Sequence, residues 1–184
     1  MSPIRIFIGS ADKFRCCEEP LCKSILAHSS VPVEFFIMRP EDLGVPPTGC
    51  TGFSNLRYAV PELAGYAGFA IYLDVDMLVL GDIAELYEYR EAGRWVQLVD
   101  GSNEVSVISC GTHRHMPSLP WLHTKNKHEL KAMTRASSRI PLEWNVEDHV
   151  QPGMKLLHFT DLKCQPWFNE HPCREAVELW NAFV

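Results

Sequence analysis

Short apolar runs alternate along the chain with stretches of helical spacing, and that alternation sets the first expectations. "IRIFIG" (4–9) is a β-rich run ending at a glycine, and Leu21, Ile25 and Leu26 then recur at helical spacing between Glu18 and His28. "VEFFIM" (33–38) reads as a second strand closed by Pro40, and the turn-rich "EDLGVPPTGCTG" makes 39–52 a loop. "SNLRYAVPELAGY" reads as a helix with Ser54 as its N-cap and a break near Gly65, leading into the strand "FAIYLDVD". Asp82 is placed to cap a short helix, "IAELYEY". "RWVQLVD" and "EVSVIS" are further strands, "MKLLHF" (154–159) is the last, and an amphipathic helix starts near Arg174. Residues 111–140, rich in His, Pro and Ser, carry no legible period. The order is α/β with extra strands late, without internal repeat or linker, and it predicts one domain over 1–184.

Within the strand "AIYLDVDMLVL" (70–80), two carboxylates interrupt an otherwise apolar run. Positions i and i+2 of a strand face the same side, so Asp74 and Asp76 are expected to project together where the strand ends. Two neighbouring carboxylates repel unless a cation lies between them, and ligands of open α/β sheets collect at the carboxyl ends of strands. A hard divalent cation, magnesium or manganese, that also binds phosphate oxygens fits such a pair. The plainer reading makes one Asp a strand-end cap and the other the start of the turn into "GDIAEL".

Composition narrows the partners. The chain has 184 residues, 46% of them hydrophobic, enough for a substantial core, and its formal net charge of −6 gives no basic footprint for nucleic acid. No apolar run has the length of a membrane span and "MSPIRIFIGSADK" lacks the features of a secretory signal, so a cytoplasmic protein is expected. Seven cysteines, an odd number, are expected to be free thiols, and Cys16, Cys17 and Cys22 read as helix-face residues. Cys110, His113, His115, His123 and His128 offer zinc-type ligands but no compact ligand spacing.

The stretch "FSNLRYAVPELAGYAGFAIYLDVDMLVLGDIAELY" (53–87) resembles the central segment of glycosyltransferase family 8, the glycogenin-like and galactosyltransferase-like enzymes. Arg57 stands where that family carries an Arg on the preceding helix, and Asp74 and Asp76 form its D-x-D. "IRIFIGSADKF" resembles the opening strand, whose following loop, here Gly9, Ser10, Ala11 and Asp12, holds the uracil and ribose of a UDP-sugar. "KLLHFTDLKCQPW" is similar to the closing His-aromatic-x-Gly-x-x-Lys-Pro-Trp element, which makes His158 the third metal ligand. There Asp161 and Gln165 replace the family's Gly and Lys, and Lys163 is the nearest cation for the diphosphate. Taken alone, His158 also reads as a core histidine. The resemblance implies a GT-A fold: a single Rossmann-like nucleotide-diphospho-sugar transferase domain with a mixed, mostly parallel central sheet.

It further implies retaining transfer from a UDP-sugar, with Mn2+ or Mg2+ held by Asp74, Asp76 and His158 and Arg57 adding positive charge. The acceptor stays open among a glycan, a lipid-linked sugar and a protein. Asp100, ending "WVQLVD", is a candidate for the donor sugar hydroxyls or a turn-forming Asp before Gly101. The family's Asn-Ser-Gly strand start and Asp-Gln pair have only "EVSVISCG" and "LEWNVEDH" as remnants. Two alternatives stand beside this reading. One is a haloacid dehalogenase-like phosphohydrolase using the same Asp pair, and the other a nucleotide-sugar-binding relative without catalysis.

Overall fold

The computed structural model describes residues 2–98, 102–116, 118–122, 124–134 and 136–184. Its strands and α-helices, in chain order, are β1 (Ile4–Gly9), α1 (Arg15–His28), β2 (Val33–Met38), α2 (Val60–Leu63), β3 (Phe69–Asp74), β4 (Met77–Val79) and α3 (Ile83–Tyr87). There follow β5 (Trp95–Leu98), β6 (Val105–Ser109), α4 (Leu119–Leu122), α5 (Lys127–Met133), β7 (Ala136–Ile140), β8 (Val146–Glu147), β9 (Leu156–His158) and α6 (Arg174–Asn181). Among the described residues no helix is long and apolar enough to cross a membrane.

Six strands form the main sheet in the order β2-β1-β3-β6-β5-β7. β6 runs antiparallel to both its neighbours and the remaining pairings are parallel, so the sheet is mixed with five strands pointing one way. From Ala70 to Asp74 every residue of β3 is buried, as are all five of β6, which is why their sequences are continuous apolar runs without alternation. α1 covers the sheet with Cys17, Leu21 and Ile25 and packs against β4, where buried Ser24 takes the backbone N–H of Val79 at 3.0 Å. A second, three-stranded sheet has the order β4-β9-β8. Its Met77↔His158 pair brings His158 beside the turn that follows β3.

Two elements differ from the sequence expectation for identifiable reasons. The 53–66 segment is not one helix: a 3-10 turn at Leu56–Ala59 leads into the single α turn of α2, with Pro61 in its first turn, and Gly65 and Tyr66 at positive φ end it. Ser54 makes no cap; its carbonyl instead accepts from Arg57 Nε at 3.0 Å. The Asp pair also does not ride on one strand, because β3 ends at Asp74 and Asp76 lies in the bend before β4. Asp82 does cap α3, accepting from Ala84 N at 2.9 Å. The region without a legible period holds α4, α5 and β7, and α5 opens with a capping box between Asn126 and Glu129.

Gly9 sits opposite Asp74 in the β1–β3 register. A Cβ there would lie 2.2 Å from the Tyr72 hydroxyl and 3.0 Å from the Phe53 ring, so the glycine is a slot for the phenol. Gly9→Ala is therefore expected to destabilise the protein by about 1–3 kcal/mol through overpacking. Thermal unfolding measures this, and an unchanged melting temperature would mean that Tyr72 can move aside at no cost.

Candidate metal centre

Asp74 ends a buried strand and is itself 6% exposed, a position that demands compensation. Arg57 supplies it from the 3-10 turn: Nη2 donates to Oδ1 and Oδ2 at 3.0 Å each. The Tyr72 hydroxyl, two residues back on the same face of β3, donates to Oδ1 at 2.5 Å, and the guanidinium lies 5.0 Å from the Tyr72 ring centroid. Arg57 is held in turn by Ser54 O and by Asn103 Oδ1 at 3.0 Å, and Asn103 donates to the Tyr58 hydroxyl at 2.6 Å. Oδ1 thus receives two donors and Oδ2 one, which leaves Oδ2 a lone pair for a cation. Burial raises the Asp74 pKa to about 6, Arg57 opposes the rise, and Asp76 adds to it, so the group stays ionised at neutral pH. Burial works most strongly against the Arg57 charge, but Asp74, Tyr72, Glu104 and Tyr58 together outweigh it and Arg57 stays above its ordinary value.

Asp76, 3% exposed, is built differently. Its Oδ1 has no hydrogen-bond partner among the described residues, although His158 Nε2 is 3.2 Å away. His158 Nδ1 lies 2.9 Å from Asn145 Oδ1, which makes Nδ1 the protonated nitrogen and leaves Nε2 facing the carboxylates. Ligand atoms of Asp74, Asp76 and His158 all lie within 4.8 Å of one another, and among the described residues no other group of acids, histidines and cysteines does this. Two buried carboxylates and an imidazole nitrogen that converge in this way fit a divalent cation. Burial opposes a charge on His158, yet Asp76, then Glu104 and Asp74, raise its pKa to about 9. In the metal-free protein the imidazolium accordingly offsets carboxylate charge, and a cation must displace its proton.

Asp76 Oδ2 is 3.4 Å from Gln165 Nε2, which also donates to Phe159 O at 2.8 Å. Glu104 Oε2 stands 3.8 Å from His158 Nδ1, making a third carboxylate at the edge of the centre. The structure thus brings Arg57, Asp74, Asp76 and His158 together.

Gly9 stands opposite Asp74 in the β1–β3 register, and the other described candidate residues lie outside this group. In the loop after β1, Ser10 is fully buried and its hydroxyl donates to Glu18 at 2.7 Å, Ala11 is buried, and exposed Asp12 pairs with Arg15 at 2.5 Å. Lys163 is exposed and its backbone N–H donates to Asp161 Oδ1. Asp100 lies outside the described residues, as does His123. Within "LEWNVEDH", the Asp148 carboxylate is committed to the N–H and hydroxyl of Thr160, at 2.8 and 2.5 Å. His113 is buried with Nδ1 2.9 Å from Ser109 O, and His115 Nε2 is 2.9 Å from Met133 O. All seven cysteines are free.

Sequence reasoning missed Tyr72, Asn103, Glu104 and Asn145. The period-two rule that pairs Asp74 with its neighbours also puts Tyr72 on its face, so that residue had a signal. Asn145 meets His158 only through the second sheet, and nothing local announces it.

No family model matches the sequence. Protein CDI of Arabidopsis thaliana is 25% identical in an alignment covering 97% of this chain and 85% of that protein. Among solved structures, the galactosyltransferase LgtC in complex with donor and acceptor sugar analogs superposes with a TM-score of 0.70 at 13% identity, over 98% of this chain and 96% of its own. An active-site mutant of LgtC gives 0.72 at 12% identity with the same coverage. The glycosyltransferase GlyE of Streptococcus pneumoniae gives 0.70 at 15% identity, over all of this chain and 60% of its own. The chain has the GT-A fold of these enzymes.

The Asp76–His158 contact predicts a pH dependence of metal-free stability. His158 binds its proton more tightly folded (about 9) than as a free side chain (6.5), so its stabilisation is complete below 6.5 and is lost as pH rises through 9. The effect is on the order of 3 kcal/mol, and Asp74 titrates below this window. With chelator present, the melting temperature should fall between pH 6.5 and 9, and His158→Gln should flatten that fall. An equal slope in both proteins would show that the imidazole carries no proton there.

Proposed function

We propose that the chain, 1–184 as one catalytic unit, is a metal-dependent retaining glycosyltransferase of the family 8 kind, acting in the cytosol with a UDP-sugar donor. The observation that carries this reading is the convergence of buried ligand atoms of Asp74, Asp76 and His158, all within 4.8 Å of one another, at the carboxyl end of β3. Support comes from the fold and from the identity of these three side chains.

In this reading Asp74, Asp76 and His158 hold Mn2+ or Mg2+, which when bound supplies Lewis-acid charge to the two phosphates of the leaving UDP. Arg57 fixes the Asp74 carboxylate and adds a permanent positive charge in a water-poor site, where it acts more strongly than in water. Gly9 ends β1, the strand paired with β3, and with Ser10, Ala11 and Asp12 after it forms the nucleoside loop. Ser10 is turned inward to Glu18, so the loop meets the nucleoside with its backbone and with Asp12. Lys163, on an exposed turn, is the side chain assigned to the diphosphate. The acceptor is a hydroxyl of a glycan, lipid-linked sugar or protein.

Asp74 makes a poor nucleophile for a phosphohydrolase, because three hydrogen bonds already engage its two oxygens. A UDP-sugar-binding protein without efficient transfer is the second reading. It is favoured by Asp161 and buried Gln165 standing where the resembling motif carries Gly and Lys.

Linkage tests the proposal without knowledge of the acceptor. A ligand at 100 times its Kd stabilises the native state by about 2.7 kcal/mol, and each kcal/mol moves the melting temperature of a domain this size by roughly 2–4 °C. UDP with Mn2+ should therefore raise the melting temperature by several degrees, more than either alone, and chelator should abolish the shift. Equal shifts with ADP, GDP and CDP, or a metal-independent response, would count against a UDP-sugar site.

Asp74→Asn and Asp76→Asn should each remove the metal-dependent shift while far-UV circular dichroism stays unchanged. Unaltered UDP affinity in both variants would refute the ligand set. UDP binding with neither transfer nor UDP-sugar hydrolysis would select the second reading.

A further inference from the structure

We infer that Gln165 is a positioning residue that aims Asp76 at the cation, an inference that rests on the metal reading of the Asp74–Asp76–His158 group. Gln165 is 1% exposed. Its Nε2 donates to Phe159 O at 2.8 Å and reaches Asp76 Oδ2 at 3.4 Å, while Phe159 N donates to Asp76 O at 2.9 Å. The three residues close a ring: Asp76 backbone to Phe159, Phe159 to Gln165, and Gln165 back to the Asp76 side chain. Both oxygens near the amide are acceptors, which requires Nε2 and not Oε1 to face them.

Two features separate this arrangement from simple packing. Gln165 Oε1 is buried with no hydrogen-bond partner among the described residues, a cost that an apolar side chain of the same size would avoid. Secondly, the amide is neutral. It orients Asp76 through Oδ2 and adds no permanent positive charge, leaving Oδ1 to His158 or the cation, whereas Arg57 already neutralises Asp74. A lysine at 165 would instead form an ion pair with Asp76 and compete with the metal.

The test uses Mn2+ alone, followed by the electron paramagnetic resonance of free Mn2+, on the wild type, Gln165→Met and Gln165→Lys. Gln165→Met should weaken Mn2+ binding about 10- to 100-fold, the usual effect of losing a residue that orients a ligand. Gln165→Lys should weaken it as well, because the ammonium would occupy Asp76. A structural role alone would lower the melting temperature of Gln165→Met and leave Mn2+ affinity of the folded protein within twofold. That result, or wild-type affinity in Gln165→Lys, overturns the inference.

A measurement on the wild type guards against variants that fail to fold: the Gln165 side-chain amide resonance should shift when Mg2+ is added, and an unmoved resonance also overturns it. Absence of Mn2+ binding to the wild type would refute the metal reading itself, a different outcome from wild-type binding with unaffected variants.

Discussion

The buried pair of Arg57 and Asp74 is the contact on which the site depends. A carboxylate at the end of a strand buried on both faces is expensive, and removing one partner of such a pair leaves an uncompensated charge inside the protein. Arg57 reaches it from a 3-10 turn whose own geometry is fixed by that reach, since the same guanidinium also ties down Ser54 and Asn103. Tyr72 completes the arrangement, and Gly9 is the space that admits its hydroxyl. Strand register, turn conformation and one absent side chain thus converge on a single carboxylate.

The two carboxylates are made unequal by their neighbours. Asp74 is ion-paired and triply hydrogen-bonded, and its freedom is nearly spent. Asp76 has no guanidinium on it: it contacts a neutral amide on one oxygen and presents the other to an imidazole whose second nitrogen is held by Asn145. The division answers why an apolar strand end carries two acids: one anchors the site to the fold and the other remains available. Repulsion between them contributes to the high Asp74 pKa, after burial.

Much of this was legible in the sequence where local pattern and chemistry coincide. β1 and β2 fall on the apolar runs at 4–9 and 33–38, and the Asp82 cap follows from its place before an apolar-periodic segment. The Asp pair was legible by type and spacing, but its geometry was not: Asp76 leaves the strand, and it meets Asp74 because the chain bends. The region 111–140 resisted because α4 and α5 are too short to establish a period, though Asn126 and Glu129 had the spacing of a capping box. Gln165 meets Asp76 across 89 positions of sequence, and Asn145, though 13 residues from His158, reaches it only because β8 and β9 pair, which no local period announces.

The Met77↔His158 pairing of the small sheet also has a bearing on folding. The aspartates are neighbours in the chain, but the imidazole arrives only when β9 docks on β4, a contact of long sequence separation whose loop-closure entropy makes it slow. A chain that has formed β1–β3 but not this late pairing carries an acidic, unfilled half-site with little hold on a cation. Under the metal reading, a cation that binds only the finished three-residue group would stabilise the native state by mass action and pull the folding equilibrium toward it.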